Sequence, residues 1–448
     1  MLAESRVGAP PLGVSGWRGE LALAGIVRAD LAAATAQCHT AKCLQSGEDS
    51  AAQRPIVSAA WAVAAMALFL LWQFLTIHYN RGGNWTALFQ IGSNIPAPPE
   101  LARGAYRFPG NGYDGEFYRY VAHDPFMQRG YASYIDAPPL RYQRLLIPVL
   151  AFLLAAGRQP WIDRAYIAAI VLFVFLGAYW LSRWAVPSGA HPAWALAFLL
   201  VPATLISMDR MTVDVAMAAF TLAFAVYWRS GEEWKLFAVL LLACLVRETG
   251  LLLVAGICLF QLSNRRFGRA LRWAFAALPM FIWYAFIRAK FGEKAHFGMP
   301  LWLADGFSLF ARLFRPPRYP LPPLEEAIAR SADVLALAAI LLAAILAIVI
   351  FLRANPRAHP RGPLAFSGLL FAALVFAFSG DEYWIDVNAY ARLLSPLLIL
   401  TVLPAIAGQA GPRIPLWLSL LPAMAVDLRL GIEFTSAIGG VLRGLFGR

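Results

Sequence analysis

The sequence predicts an all-α fold, a polytopic transmembrane helical bundle, and three observations carry that expectation. Of 448 residues, 60% are hydrophobic and 14% charged, with a mean hydropathy of +0.60, too apolar to clothe a soluble domain of this length. The uncharged runs 55–77, 165–182, 334–352, 362–380 and 393–411 approach the roughly 20 residues a helix needs to cross a hydrocarbon core. None alternates with period two, and backbone groups in lipid must be satisfied within the segment, so helices are expected and not a barrel. In all, about 9–11 apolar segments are expected, some short or non-spanning.

In chain order, residues 1–54 are small, polar and rich in Gly and Ala, and read as a disordered cytoplasmic tail or a start codon set too far upstream. Residues 55–430 form the membrane domain, and 431–448 read as a C-terminal tail. After the run 55–77 comes a first long loop, 78–144, dense in aromatics from Tyr79 to Tyr142, which suits short helices lying at the interface. The apolar stretch 145–157 is too short to span. Residues 236–262 read either as a hairpin of two short helices with Arg247 and Glu248 at its apex or as one span burying both charges. A second long loop covers 292–330.

The net charge is +12 and the pI about 9.8, but the basic residues gather at the ends of apolar runs. That pattern marks topology and contact with anionic head groups of the lipid bilayer, so no nucleic acid partner is expected. Arg265, Arg266, Arg269 and Arg272, with Arg353, Arg357 and Arg361, are assigned to the cytoplasm. The loops 78–144 and 292–330 and the acidic stretch from Asp381 to Asp386 then fall outside. Cys38, Cys43, Cys244 and Cys258 are too few and too scattered for a disulfide framework.

The residues that could carry chemistry begin with Asn111-Gly112-Tyr113-Asp114-Gly115-Glu116. The glycines permit a tight backbone and close approach of a ligand. A carboxylate is the natural base for an acceptor hydroxyl, and Asp114 with Glu116 could instead hold a divalent cation; a solvated turn is the plain alternative. An i,i+2 pair converges only if the segment is extended or turned.

Asp209 reads as a helix cap, and Arg210 and Asp214 as i,i+4 neighbours, with Asp214 entering an apolar run where a charge needs a partner or substrate. Arg247 suits a phosphate, and with Glu248 it could equally form a local ion pair. Arg141, Arg144 and Arg392 each either snorkel or bind a phosphate head group. No Walker A loop and no H-E-x-x-H segment occurs, so no nucleotide and no zinc chemistry is expected.

With those residues laid out, the chain resembles the GT-C superfamily of polytopic membrane glycosyltransferases, in particular bacterial proteins of cell-surface glycopolymer formation. The resemblance rests on Gly112-Tyr113-Asp114-Gly115-Glu116-Phe117-Tyr118, then Arg141-Tyr142-Gln143-Arg144, Asp209-Arg210-Met211-Thr212-Val213-Asp214, Val246-Arg247-Glu248-Thr249 and Arg392-Leu393-Leu394-Ser395-Pro396. It implies a sugar donor on a polyprenyl phosphate or diphosphate, a glycan or lipid acceptor, and inverting transfer on the outer face of the bacterial inner membrane. It also implies Asp114 as general base, with Glu116 as helper or metal ligand; Tyr113, Arg144, Arg210, Asp214, Arg247, Glu248 and Arg392 are then expected to bind substrate. The competing readings are a transporter or flippase of lipid-linked saccharides and a non-catalytic assembly protein. The charges gather at one membrane edge and not at the midplane between two symmetric halves, which disfavours a transporter.

Overall fold

A computed structural model describes residues 55–292, 308–353, 362–378, 381–408 and 414–447. The tail 1–54, part of the second long loop, Arg357 and Arg361 lie outside the described residues. For Asp381 and Glu382 the structure describes the backbone alone.

The chain enters through α1 (Pro55–Arg81), 27 residues with a mostly lipid-accessible surface. The first loop follows. Its two-residue strands β1 (Ile91–Gly92) and β2 (Arg107–Phe108) pair in parallel, and they are the only strands among the described residues. It continues through α2 (Asp114–His123) and α3 (Pro138–Gln143). Next, α4 (Leu146–Leu154) has 9 residues, about 14 Å of helix, too short to cross a core about 30 Å thick. It packs against α5 (Gln159–Ala185), a full-length span.

Beyond α5, α6 (Pro202–Arg210) and α7 (Asp214–Ser230) are separated by Met211, whose backbone is left-handed at φ 47°. Then come α8 (Glu233–Val246) and α9 (Gly250–Ser263), each of 14 residues, about 21 Å long and short of a crossing. They fold back on each other. Glu233 at the start of α8 pairs with Arg272 at 2.7 Å, and Phe237 packs on Trp273 with ring centroids 6.3 Å apart, so α8 begins beside the residues that follow α9. The hairpin reading of 236–262 therefore describes this segment, with Arg247 and Glu248 at its tip.

The next helices are α10 (Phe267–Phe291), α11 (Pro323–Arg353) and α12 (Gly362–Ala377), then α13 (Val387–Leu393), α14 (Ser395–Ile406) and α15 (Leu416–Phe446). Pro396 near the start of α14 and Pro202 at the start of α6 remove backbone donors and favour helix starts there. The bends are 49° between α13 and α14, and 60° between the 3₁₀ segment Pro192–Leu200 and α6. Among the described residues four helices are long and apolar enough to cross a membrane, and six if each bent pair counts as one span. The chain is a multi-pass, all-α membrane protein.

One boundary differs from the sequence expectation. Residues 431–446 are not a tail, because α15 runs unbroken through them. Two of its glycines, poor helix formers, are used for close packing: Gly440 lies against Asn80 and Gly444 against Tyr79 of α1.

Candidate functional site

The site forms where the starts of α2 and α7, the end of α3, the hairpin tip and α13 converge. The entry into α2 is set by two glycines. Gly112 is left-handed (φ +69°), and a side chain there would meet Glu116 Oε2, the Gly92 N–H and the Gln90 carbonyl within 2.6 Å. A Cβ on Gly115 would run into the carbonyl oxygen of Arg210, so only glycine lets α2 seat against the end of α6. Tyr113 is extended and its N–H bonds the Gln90 carbonyl at 2.9 Å, which delivers Asp114 as the first residue of α2.

Asp114 Oδ2 accepts from Arg392 at 2.5 Å and from Arg141 at 2.8 Å. The second terminal nitrogen of Arg392 lies 3.6 Å from Asp214 Oδ2, while the other oxygen of Asp214 accepts from Arg247. Arg247 Nε in turn lies 3.4 Å from Glu248. Glu248 accepts two hydrogen bonds from Arg144, at 3.2 and 2.9 Å, and Arg144 donates to the Tyr118 hydroxyl at 2.6 Å. Four guanidinia thus face Asp114, Asp214 and Glu248, and the remaining positive charge meets the half-exposed Asp136, which takes two bonds from Arg141. All four arginines are buried.

Burial opposes ionisation of Asp114, but Arg392 and Arg141 overcome it and hold its carboxyl well below the usual range. Among the described residues, Nε of Arg392 is buried without a hydrogen-bond acceptor, and Nη1 of Arg392 and Nε of Arg247 have only the carboxylates of Asp214 and Glu248 at 3.6 and 3.4 Å, too long or misdirected for a hydrogen bond. Charged donors left in that state are costly, and they suit an anionic or strongly accepting ligand.

Tyr113 joins this cluster to a second one. Its hydroxyl donates to Asp386 at 3.2 Å, and the guanidinia of Arg210 and Arg392 lie 4.8 and 5.0 Å from its ring centre. Arg210 pairs with Glu433 of α15 at 2.7 Å. Glu433 also accepts from Asn388 at 2.9 Å and Arg429 at 3.3 Å, and Arg429 pairs with Asp333 of α11 at 2.5 Å.

Asp114, Asp214, Arg144, Arg247, Glu248 and Arg392, all singled out from sequence, therefore meet in one cluster, with Tyr113 and Arg210 at its edge. Three local expectations give way. Asp114 and Glu116 do not converge, because the helix sends them apart: Glu116 is fully buried, accepting from the Gly92 N–H at 2.8 Å and the Tyr120 hydroxyl at 2.7 Å. Burial raises its pKa despite those bonds. Arg210 and Asp214 do not pair, because the left-handed Met211 ends α6 between them. Asp209 caps no helix; it accepts from Trp72 Nε1 at 3.1 Å. Among the described residues no group of three His, Cys, Asp or Glu side chains is placed to hold a metal ion.

Sequence reasoning missed Glu433, Arg429 and Asp333. Asp333 and Arg429 interrupt long apolar helices, and a charge so placed is a functional signal in itself. The fold and this buried charge cluster define a multi-pass membrane protein with a polar site gathered at the ends of its helices. No protein-family model, curated protein or solved structure matches the chain.

Proposed function

We propose that the chain is an integral membrane glycosyltransferase of the bacterial inner membrane. It moves a sugar from a polyprenyl-phosphate or diphosphate donor to a glycan or lipid acceptor, with the cluster facing the periplasm or outside. The observation that carries the reading is that one carboxylate, Asp114, shares a guanidinium with a set of buried arginine donors that lack acceptors. A base and an anion site are what transfer from a lipid phosphate requires, side by side.

In this reading Arg392 and Arg247 hold the phosphate, and Arg144 with Glu248 fixes the hairpin tip that presents Arg247. The acceptor oxygen attacks the anomeric carbon, its proton passes to Asp114, and the bond from that carbon to the phosphate oxygen breaks with the electron pair leaving on phosphate. Asp114 is a weak base while Arg392 and Arg141 neutralise it. An arriving phosphate competes for Arg392 and lets the carboxyl rise toward the range where it can take a proton. Tyr113 and Arg210 border the acceptor side. Glu116 supports the fold of the loop, and no step here requires a divalent cation.

The test is reconstitution of the protein with polyprenyl-phosphate sugars, comparing it with Asp114→Asn. Loss of transfer by at least about 100-fold with donor binding retained is the expected result. Undiminished transfer by Asp114→Asn removes the base assignment. Saccharide that crosses the bilayer with no glycosidic bond formed replaces the enzyme with a transporter.

A further inference from the structure

A second cavity lies apart from the charge cluster and shares none of its residues. Trp194, Leu200, Leu398, Val402, Met424 and Asp427 are among its lining, and the rest of the wall is apolar. It opens to the lipid-facing surface, where Leu200 is 59% and Met424 63% exposed. Two helices run from charged residues into this cleft: on α7 Leu222 lies eight residues beyond Asp214, and on α15 Asp427 lies six before Glu433. At 1.5 Å per residue the cleft starts about 9–12 Å from the charges, deeper along the helices.

Asp427 is the anomaly in that wall. Its Oδ1 is buried with no hydrogen-bond partner among the described residues. An apolar wall favours the neutral acid, which carries one O–H donor, and a donor kept at such a place needs an acceptor.

We infer that this cleft binds an acylated lipid, its hydrocarbon chain along the Leu, Val and Met wall and an ester carbonyl accepting a hydrogen bond from Asp427. The choice of lipid follows from that donor. An isoprenoid chain offers only C–H groups away from its phosphate end, whereas an acyl lipid carries carbonyl oxygens at the head of each chain. The site goes beyond the transfer reading and does not depend on it.

Trp194 supplies the probe. In an alkyl-glycoside detergent, quenching of its fluorescence by a phosphatidylcholine brominated on its acyl chains is measured as the difference between the protein and Trp194→Phe. Unlabelled diester phosphatidylcholine should displace the probe at about fivefold lower concentration than its diether analogue, one hydrogen bond's difference. Asp427→Asn keeps a donor and should keep that preference, whereas Asp427→Leu should erase it. The leucine variant removes a lone carboxyl from an apolar wall, so its thermal midpoint should not fall. Equal displacement by diester and diether, or displacement by polyprenyl phosphate as effective as by the diester, overturns the inference.

Discussion

Arg392 bridges Asp114 and Asp214: one terminal nitrogen is 2.5 Å from Asp114 and the other 3.6 Å from Asp214. One guanidinium thereby ties the first long loop to the start of α7. Arg392→Gln should raise the pKa of the Asp114 carboxyl. Water-soluble carbodiimide with an amine, followed by peptide mass analysis near pH 5.5, should label Asp114 in the variant and not in the parent. Equal labelling would mean that Arg392 does not control this acid.

The depressed pKa of Asp114 also fixes the sign of a pH effect on stability. A carboxyl held below its unfolded value of about 3.9 stabilises the fold above that pH and loses the contribution as pH falls toward the folded value. The gap in thermal midpoint between the protein and Asp114→Asn should therefore be widest near neutrality and shrink below about pH 4.

Arg247 and Asp214 are both buried, so removing one takes away the other's nearest counter-charge and leaves only the longer contacts, Arg392 with Asp214 at 3.6 Å and Glu248 with Arg247 at 3.4 Å. Arg247→Ala should cost about 3–5 kcal/mol of stability, whereas Arg247→Met combined with Asp214→Leu should recover most of that loss. The rescued double variant should still bind donor poorly in an equilibrium titration. Full donor affinity in it would confine this pair to a structural role.

Glu116 offers a contrast within the same motif. Its pKa is raised, so charging it disfavours the folded state as pH climbs above the usual glutamate range. Glu116→Gln keeps an acceptor for the Gly92 N–H, and it should leave transfer within about threefold while flattening that part of the stability profile. A hundredfold loss would return Glu116 to the chemistry.

Gly115→Ala should destabilise the protein by about 1–3 kcal/mol, since the added carbon meets a backbone carbonyl that cannot swing aside. Thermal unfolding alongside an exposed control such as Gly268→Ala, where the space is open, isolates the collision from a change in helix propensity.

The bundle was legible because length and hydrophobicity are local properties: the uncharged runs 55–77, 165–182 and 334–352 each lie within one helix, and the short stretch 145–157 yielded the short α4. The site was legible residue by residue for a related reason, the cost of a charge near lipid, which singled out Asp214, Arg247 and Arg392. Their partners were not, because pairing is tertiary. Helical spacing proposed Arg210 with Asp214, and one left-handed residue, Met211, sent them to Glu433 and Arg247 instead. The acids Asp114 and Glu116 were judged together by proximity in sequence, while the helix that starts between Tyr113 and Asp114 separates their directions.

The hairpin of α8 and α9 bears on how the chain is made. Its tip meets Asp214 and Arg144, both synthesised before it, so Arg247 and Glu248 find their counter-charges waiting as they emerge. Asp114 has Arg141 early but receives Arg392 only when the ribosome has passed most of the chain. Half of the cluster can therefore assemble during synthesis, and the bridge between Asp114 and Asp214 closes late. A chain stalled before residue 392 would carry a neutralised hairpin tip and an Asp114 held by Arg141 alone.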